Sequence, residues 1–300
     1  MREKVNGFVG VMAVAILCMV SGLCMVWGIA PVVLAVYVAA CAVCGRYMIT
    51  CIGCAAGVAA GSMGIAGLLH AYEYMIPGPV YSGVMVTEKY LVLLGLAMCL
   101  MKIVYSRNSR SYVRVIVVMS AAVLMGNIVV YADNMLMAAA YGVVEAVIFM
   151  CASVILKPGI GLLYTYICGD ASDVERDESW NISQGIVSLM ALAAVVLWVV
   201  PGEDIYGVNP AFMLALVLIL YAVYRTGAVY GCGMAAVAGS IVSVKLNDSR
   251  WLMWMLLVTL VMLIGRALTG RRKVSASLFY VLGCVLASVA DGTVLWNGSG

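Results

Sequence analysis

The sequence predicts an all-α integral membrane protein, a polytopic bundle of about ten or eleven transmembrane helices. Of its 300 residues, 65% are hydrophobic and 10% are charged, and the mean hydropathy is +1.10. Soluble domains are roughly 45–50% apolar and 25% charged, so this composition excludes an ordinary soluble fold. The apolar runs are continuous and do not alternate with polar residues, which favours helices over the strands of a barrel.

Eleven apolar segments are candidate spans, and together they form one transmembrane domain over residues 1–300. The first is not a cleaved signal peptide, because further spans follow at once without a small-residue cleavage site. The second is short, since fourteen helical residues rise only about 21 Å, so we expect it to extend to Tyr47 or to pack inside the bundle. The eighth and ninth could be one broken element, which would leave ten spans. The segments are 8–27, 31–47, 48–69, 90–105, 115–132, 135–156, 186–200, 212–224, 227–244, 251–268 and 275–290.

The basic residues between the spans predict the orientation. With a cytoplasmic amino terminus and eleven crossings, fourteen of the 17 lysines and arginines face the cytoplasm, and only Lys89, Lys245 and Arg250 face outward. This bias predicts a multi-pass protein of the bacterial cell membrane with its amino terminus in the cytoplasm. The odd number of spans and the abrupt ending TVLWNGSG favour a fragment of a longer protein.

Small residues at four-residue spacing predict two faces for close helix packing. On a helix this spacing places them on one side, where a neighbouring backbone can approach. Such faces indicate tight association inside a bundle, because lipid provides no hydrophobic force for pairing helices. One face contains Gly53, Gly57 and Gly61, and the other contains Gly227, Gly231, Ala235 and Gly239.

Glu145 is the strongest candidate for chemistry, because it lies near the middle of a predicted span. A carboxylate at that depth suggests a proton site, an ion ligand or a partner for a buried cation. The alternative is a protonated, structural glutamate that hydrogen-bonds a neighbouring helix. We favour the structural role, because no second buried carboxylate or histidine accompanies it, and we expect Asn127 of the preceding span to be its partner.

No metal site or cofactor is expected in this chain. Cys41 and Cys44, and Cys51 and Cys54, have the spacing of metal or redox pairs, but they lie in or beside spans and the chain has one histidine. Packing is therefore the favoured role for these cysteines. The acidic stretch 170–178 lacks the glycine and ligand spacing of a calcium-binding loop.

Three stretches resemble the amino-terminal membrane region of stage II sporulation protein E from spore-forming Firmicutes. They are YGVVEAVIFMCASVILKPGI, which contains Glu145, then ESWNISQGIVSLMALAAVVL, and finally the region from Gly227 to Ala290. The last stretch combines a glycine-rich helix, a polar turn, a span that ends at the cytoplasmic basic hinge Arg271, Arg272 and Lys273, and another small-residue helix.

This resemblance implies a membrane anchor and assembly region of a sporulation protein serine/threonine phosphatase, located at the asymmetric division septum. Members of the family carry a downstream metal-dependent phosphatase domain, which uses Mn or Mg and dephosphorylates an anti-anti-sigma factor. They also self-associate and contact the tubulin-like division protein. This chain contains no soluble domain and none of the phosphatase's metal-binding aspartate motifs, so no catalytic residue and no metal carries over.

Two functions are therefore compatible with the sequence. The first is the anchor and assembly region, with the lipid bilayer and further copies of the chain as partners and no role in binding nucleic acid. The second is a secondary transporter or solute-binding membrane subunit, which would need clustered buried polar groups at mid-membrane, broken helices and an internal repeat. The sequence shows no convincing internal repeat.

Overall fold

The computed structural model describes residues 2–23, 31–63, 83–103, 109–132, 134–168, 182–200, 209–269 and 278–285. Over these residues the chain is helical and contains no strand, which confirms the all-α fold. The helices are α1 (Arg2–Gly22), α2 (Pro31–Cys44), α3 (Tyr47–Met63), α4 (Gly83–Ile103), α5 (Ser109–Val130), α6 (Met135–Cys168), α7 (Ile182–Val199), α8 (Pro210–Arg225), α9 (Ala228–Leu246), α10 (Arg250–Thr269) and a short α11 (278–285).

Among the residues that the structure describes, four helical segments are long and apolar enough to cross a membrane, judged by length and composition. They are Arg110–Val130, Met135–Ile167, Ala228–Leu246 and Arg250–Leu268. Shorter apolar helical segments cover Phe8–Gly22, Pro31–Cys44, Tyr47–Gly61, Gln184–Val199 and Pro210–Arg225. The chain divides into two compact units, Met1–Val195 and Val196–Gly300, and the boundary falls within α7.

In the first unit, α2 is the central helix. It contacts α1, α3, α4 and α6, and each residue from Pro31 to Cys41 is buried. A helix can be buried on all sides because its backbone hydrogen bonds are made within the helix. It ends at Cys44, and Gly45 adopts a positive φ of 63° in the short turn that leads to α3. The segment predicted to reach Tyr47 thus stops earlier and packs inside the bundle.

Helices α1 and α3 approach each other at glycines. A Cβ atom on Gly57 would lie 2.1 Å from the carbonyl oxygen of Met19, and one on Gly53 would lie 2.7 Å from that of Ala15. From α1, a Cβ on Gly22 would lie 2.5 Å from the carbonyl carbon of Gly57. Real Cβ atoms do not occupy such positions, so the two helices pack this closely only with glycine there.

Helix α6 is longer than the segment 135–156 predicted from the sequence. It has 34 residues and continues through Pro158 to Cys168. Proline lacks the amide hydrogen of a normal helical residue and its ring displaces the carbonyl one turn back. The next amide, that of Gly159, donates to Ser188 Oγ of α7 at 2.5 Å, which supplies a tertiary partner beside the proline. The sequence of α6 alone could not predict this hydrogen bond beside Pro158, because its acceptor, Ser188, lies on another helix.

We expect Ser188→Ala to lower the free energy of unfolding by about 1 kcal/mol, because Gly159 loses a buried hydrogen-bond acceptor. Unfolding in mixed micelles titrated with SDS measures this change. Ser240→Ala is a matched control, since the exposed Ser240 hydroxyl donates only to Ala236 O within its own helix. A loss of the same size in both variants would show that the contact with Gly159 adds no stability.

In the second unit, α8, α9 and α10 pack together, and α9 contacts both of the others. Asn209 caps α8 by accepting a hydrogen bond from the Phe212 amide at 2.9 Å. The turn between α9 and α10 contains Asp248, which accepts hydrogen bonds from Arg250. These hydrogen bonds lower the pKa of Asp248 below its usual value.

Gly227 has a different role from the one predicted for it. It precedes α9 as the amino-terminal cap, with a φ of 107°, so it is a turn residue and not part of a helix face. Its positive φ explains the glycine, because side chains strain that conformation. Gly231 and Gly239 do lie on α9, but they face different neighbours: Gly231 faces Val223 of α8 and Gly239 faces Leu252 of α10. The predicted single face is thus two separate contacts and a turn.

Candidate functional site: a buried ion pair shared by three helices

A cluster of four polar side chains joins α4, α5 and α6. Lys89 and Tyr90 come from α4, Asn127 from α5 and Glu145 from α6. Tyr90 and Asn127 are fully buried, and the side chains of Lys89 and Glu145 are 5% and 18% exposed. Charged side chains are seldom this buried unless they are paired, so Lys89 and Glu145 are each expected to have a partner.

One carboxylate oxygen accepts from all three partners. Glu145 Oε2 lies 2.8 Å from Lys89 Nζ, 3.0 Å from the Tyr90 hydroxyl and 2.7 Å from Asn127 Nδ2. Lys89 Nζ also donates to Asn127 Oδ1 at 3.1 Å and lies 4.7 Å from the centre of the Tyr90 ring. Asn127 Nδ2 donates in addition to the Val123 carbonyl of its own helix. The charges balance within the cluster, and each member contacts at least one other member.

The α5–α6 hairpin brings Asn127 and Glu145 to the same height. Tyr131 stacks on Tyr141 with ring centroids 5.3 Å apart, and Asn127 hydrogen-bonds Glu145. In both pairs the mean residue number is 136, so the two contacts belong to one antiparallel register of α5 and α6. Asn127 lies three residues before α5 ends at Val130, and Glu145 lies ten residues after α6 begins at Met135. The cluster is thus about one turn from the end of α5 and almost three turns into α6.

A glycine makes room for the lysine. A Cβ atom on Gly126 would lie 3.3 Å from both Cγ and Cδ of Lys89, closer than a normal van der Waals contact. With no side chain at Gly126, the aliphatic stem of Lys89 passes along α5 and its ammonium group reaches Asn127 and Glu145. Gly126 therefore leaves space for the Lys89 side chain, and the next residue of α5, Asn127, accepts a hydrogen bond from it.

Lys89 was predicted to lie in a loop, and this prediction is wrong. Helix α4 begins at Gly83, so Lys89 and Tyr90 lie in its second turn and face the protein interior. Asn127 and Glu145, which the sequence suggested as partners, are brought together. The signal that was missed is a single lysine directly before the apolar run YLVLLGLAMCL, together with a single glutamate in another span.

Lys245 was also predicted to lie in an outward-facing loop, and it is instead 6% exposed in the last turn of α9. Its ammonium group donates to the Leu197 carbonyl in the last turn of α7 at 3.1 Å and also to the carbonyl of Val200, the residue after α7. The carbonyl end of a helix attracts cations, because its last carbonyl groups have no partner within the helix. Arg266 of α10 similarly donates to the Val223 carbonyl in the last turn of α8.

The other residues singled out in the sequence lie apart from the ion pair. Gly53, Gly57 and Gly61 are on α3, and the basic hinge Arg271, Arg272 and Lys273 lies outside the described residues. Cys41 of α2 and Cys54 of α3 are buried, and Cys41 Sγ lies 3.1 Å from Thr50 Oγ1. Within the described ranges, no group of three or more His, Cys, Asp or Glu residues is arranged to hold a metal ion.

Comparison with family models, with curated proteins and with solved structures gives no match to this chain.

Proposed function

We propose that this chain is a membrane anchor and assembly region of the kind found in stage II sporulation protein E. The observation that supports this function best is the ion pair, whose charges balance and whose donors all converge on Glu145 Oε2. Such a cluster fixes the packing of three helices and needs no ligand to complete it. The proposed role is to hold an attached phosphatase at the asymmetric division septum, where it activates a sigma factor.

The close helix contacts also support an anchor. Gly22, Gly53 and Gly57 join α1 to α3 with almost no space between the backbones. A rigid bundle suits a protein that presents other domains at a fixed place in the membrane. By resemblance, the proposed partners are further copies of the chain, the tubulin-like division protein and an anti-anti-sigma factor, the last through a phosphatase domain that binds Mn or Mg. The proposed location is the bacterial cell membrane, with the amino terminus in the cytoplasm.

A secondary transporter is the second candidate, and the same cluster is the observation that favours it. Ionisable groups within a membrane often mark the path of a proton or ion. Lys89, Tyr90 and Glu145 are ionisable groups in direct contact, as a proton path would require. Pro158 removes one backbone hydrogen bond from α6, although the helix itself is continuous.

Glu145→Gln separates the two functions, because it removes the charge and keeps the shape. For an anchor, we expect a fluorescent fusion of the wild-type chain to concentrate at the polar septum of sporulating cells. Purified wild-type protein and Glu145→Gln should then give the same proton flux in proteoliposomes, no greater than that of empty vesicles. Wild-type flux above that background, lost in a folded Glu145→Gln variant, would contradict the anchor and support the transporter.

A further inference from the structure

Three cysteine side chains lie together where α1 packs against α3. Cys18 of α1 and Cys54 of α3 are each 0% exposed, and Cys51, one turn before Cys54, is half-buried. None of these three cysteines forms a disulfide in the structure. Packing was the role predicted for Cys51 and Cys54, and the ion pair of Lys89 and Glu145 lies on other helices. The chemistry of the thiols is therefore a separate question.

The contact between α1 and α3 places Cys18 and Cys54 side by side. A Cβ atom on Gly53 would lie 2.7 Å from the Ala15 carbonyl oxygen and 3.4 Å from the Cβ atom of Cys18. Cys54 is the next residue of α3, and its thiol is hydrogen-bonded to the thiol of Cys18. Both observations place the two sulfur atoms at the same height in the bundle and facing each other.

The two backbones are close enough for a covalent bond between these side chains. A disulfide requires that the two Cα atoms lie within about 7 Å of each other. One turn beyond the cysteines, a Cβ atom on Gly22 would lie 2.6 Å from the Cα atom of Gly57, so the backbones of α1 and α3 are in contact there. Gly22 follows Cys18 by four residues and Gly57 follows Cys54 by three. A disulfide between Cys18 and Cys54 therefore needs little movement of either helix.

Cys51 gives access to this buried pair. Its side chain is half-buried, and its thiol lies within electrostatic range of both Cys18 and Cys54. Charged oxidants do not enter the hydrocarbon of a membrane, because burying a charge there is costly. A hydroperoxide, such as that of an oxidised lipid, is uncharged and can reach a thiol from the lipid side. It oxidises a thiol to a sulfenic acid, which condenses with a second thiol.

We propose that Cys18 and Cys54 are a redox-active pair, which a hydroperoxide converts through Cys51 into a disulfide between α1 and α3. The Cys51 sulfur takes one oxygen atom from the hydroperoxide, which gives a sulfenic acid and an alcohol. The Cys18 thiol attacks the Cys51 sulfur, a disulfide forms and water leaves. The Cys54 thiol then attacks the Cys18 sulfur, and Cys51 leaves as a thiol. Overall, two thiols lose two hydrogen atoms and the hydroperoxide is reduced to an alcohol and water.

This pair goes beyond the anchor function, because it makes the rigidity of the bundle depend on oxidation. The loop that the disulfide closes contains the whole of α2, the central helix of the first unit. A disulfide limits the freedom of the unfolded chain, so the closed loop resists unfolding. We expect the oxidised protein to unfold in SDS at least about tenfold more slowly than the reduced protein.

Tryptic fragments identify the bond in the full chain. The protein in phosphatidylcholine vesicles is treated with cumene hydroperoxide, its remaining thiols are blocked with N-ethylmaleimide, and it is dissolved and digested without reductant. Trypsin cleaves after Arg46, which separates Cys18 from Cys51 and Cys54, so only a disulfide can join the two fragments. We expect tandem mass spectrometry to locate the bond between Cys18 and Cys54, and dithiothreitol to separate the fragments.

Three alanine variants make the test specific. Cys18→Ala should lose the joined fragments, because Cys51 and Cys54 lie on the same fragment. Cys54→Ala should trap the earlier bond, with the fragments joined through Cys18 and Cys51. Cys41→Ala is the control, since it removes another buried thiol from the fragment that contains Cys18 and should keep the bond to Cys54. If Cys54→Ala gave no bond between Cys18 and Cys51, entry through Cys51 would be overturned.

The exposed Cys99 and Cys151 show when the oxidant has reached the protein, and the hydroperoxide is added until both are oxidised. Wild-type fragments that then remain separate would overturn the proposal. Equal joining in protein that was first unfolded in SDS would also overturn it, because the bond would not depend on the packing of α1 and α3. Both measurements use the wild type, so they decide the matter even if a variant fails to fold.

Discussion

Glu145→Leu should destabilise the protein by about 3–5 kcal/mol, the largest effect that we expect from a single substitution. The substitution leaves Lys89, whose side chain is only 5% exposed, without an opposite charge, and it removes the acceptor shared by Tyr90 and Asn127. Lys89→Met should have a similar cost, since the Glu145 carboxylate then lacks its cation. The free energy of unfolding in mixed micelles titrated with SDS is the measurement.

The double variant Lys89→Met/Glu145→Leu shows whether the pair acts as a unit. Replacing both members of a buried ion pair by apolar residues of similar size is often much less costly than replacing one. We expect the double variant to be more stable than either single variant, although below wild type, because Tyr90 and Asn127 still lose an acceptor. Additive losses would mean that the 2.8 Å contact does not couple the two residues.

The second large effect is expected at the contact between α1 and α3. Gly57→Ala should lower the free energy of unfolding by about 2–3 kcal/mol, because its Cβ atom would lie 2.1 Å from the Met19 carbonyl oxygen. That neighbour is backbone and cannot rotate away as a side chain would, so the two helices must separate. A fall in the unfolding midpoint with unchanged helix content would support this prediction.

Gly95→Ala is the matched control, because no heavy atom lies within 4 Å of a Cβ at Gly95 on α4. Alanine is favoured over glycine in a helix, so this variant should be neutral or more stable by up to about 1 kcal/mol. If Gly57→Ala proved as harmless as Gly95→Ala, the close approach of α1 and α3 at Gly57 would be contradicted.

The apolar composition determined the helical fold. The chain is 65% hydrophobic and 10% charged, and its apolar residues form continuous runs. In an apolar environment such runs form helices, because a helix makes all of its backbone hydrogen bonds within itself. The sequence also identified Glu145 and Asn127 as candidate site residues, because a polar residue inside an apolar span usually has either a functional role or a hydrogen-bonding partner on a neighbouring helix. The glycine spacing pointed to Gly53 and Gly57 of α3, since a small-residue face is a local property of one helix.

Only the tertiary structure showed that Lys89 and Tyr90 join Asn127 and Glu145. The sequence predicted a loop at Lys89, but α4 already begins at Gly83. It predicted a packing role for Gly227, but the φ of 107° places this residue in a turn. Such roles depend on where a helix begins and on which neighbour faces it. Sequence periodicity describes each helix alone, whereas the ion pair between Lys89 and Glu145 depends on how separate helices pack together.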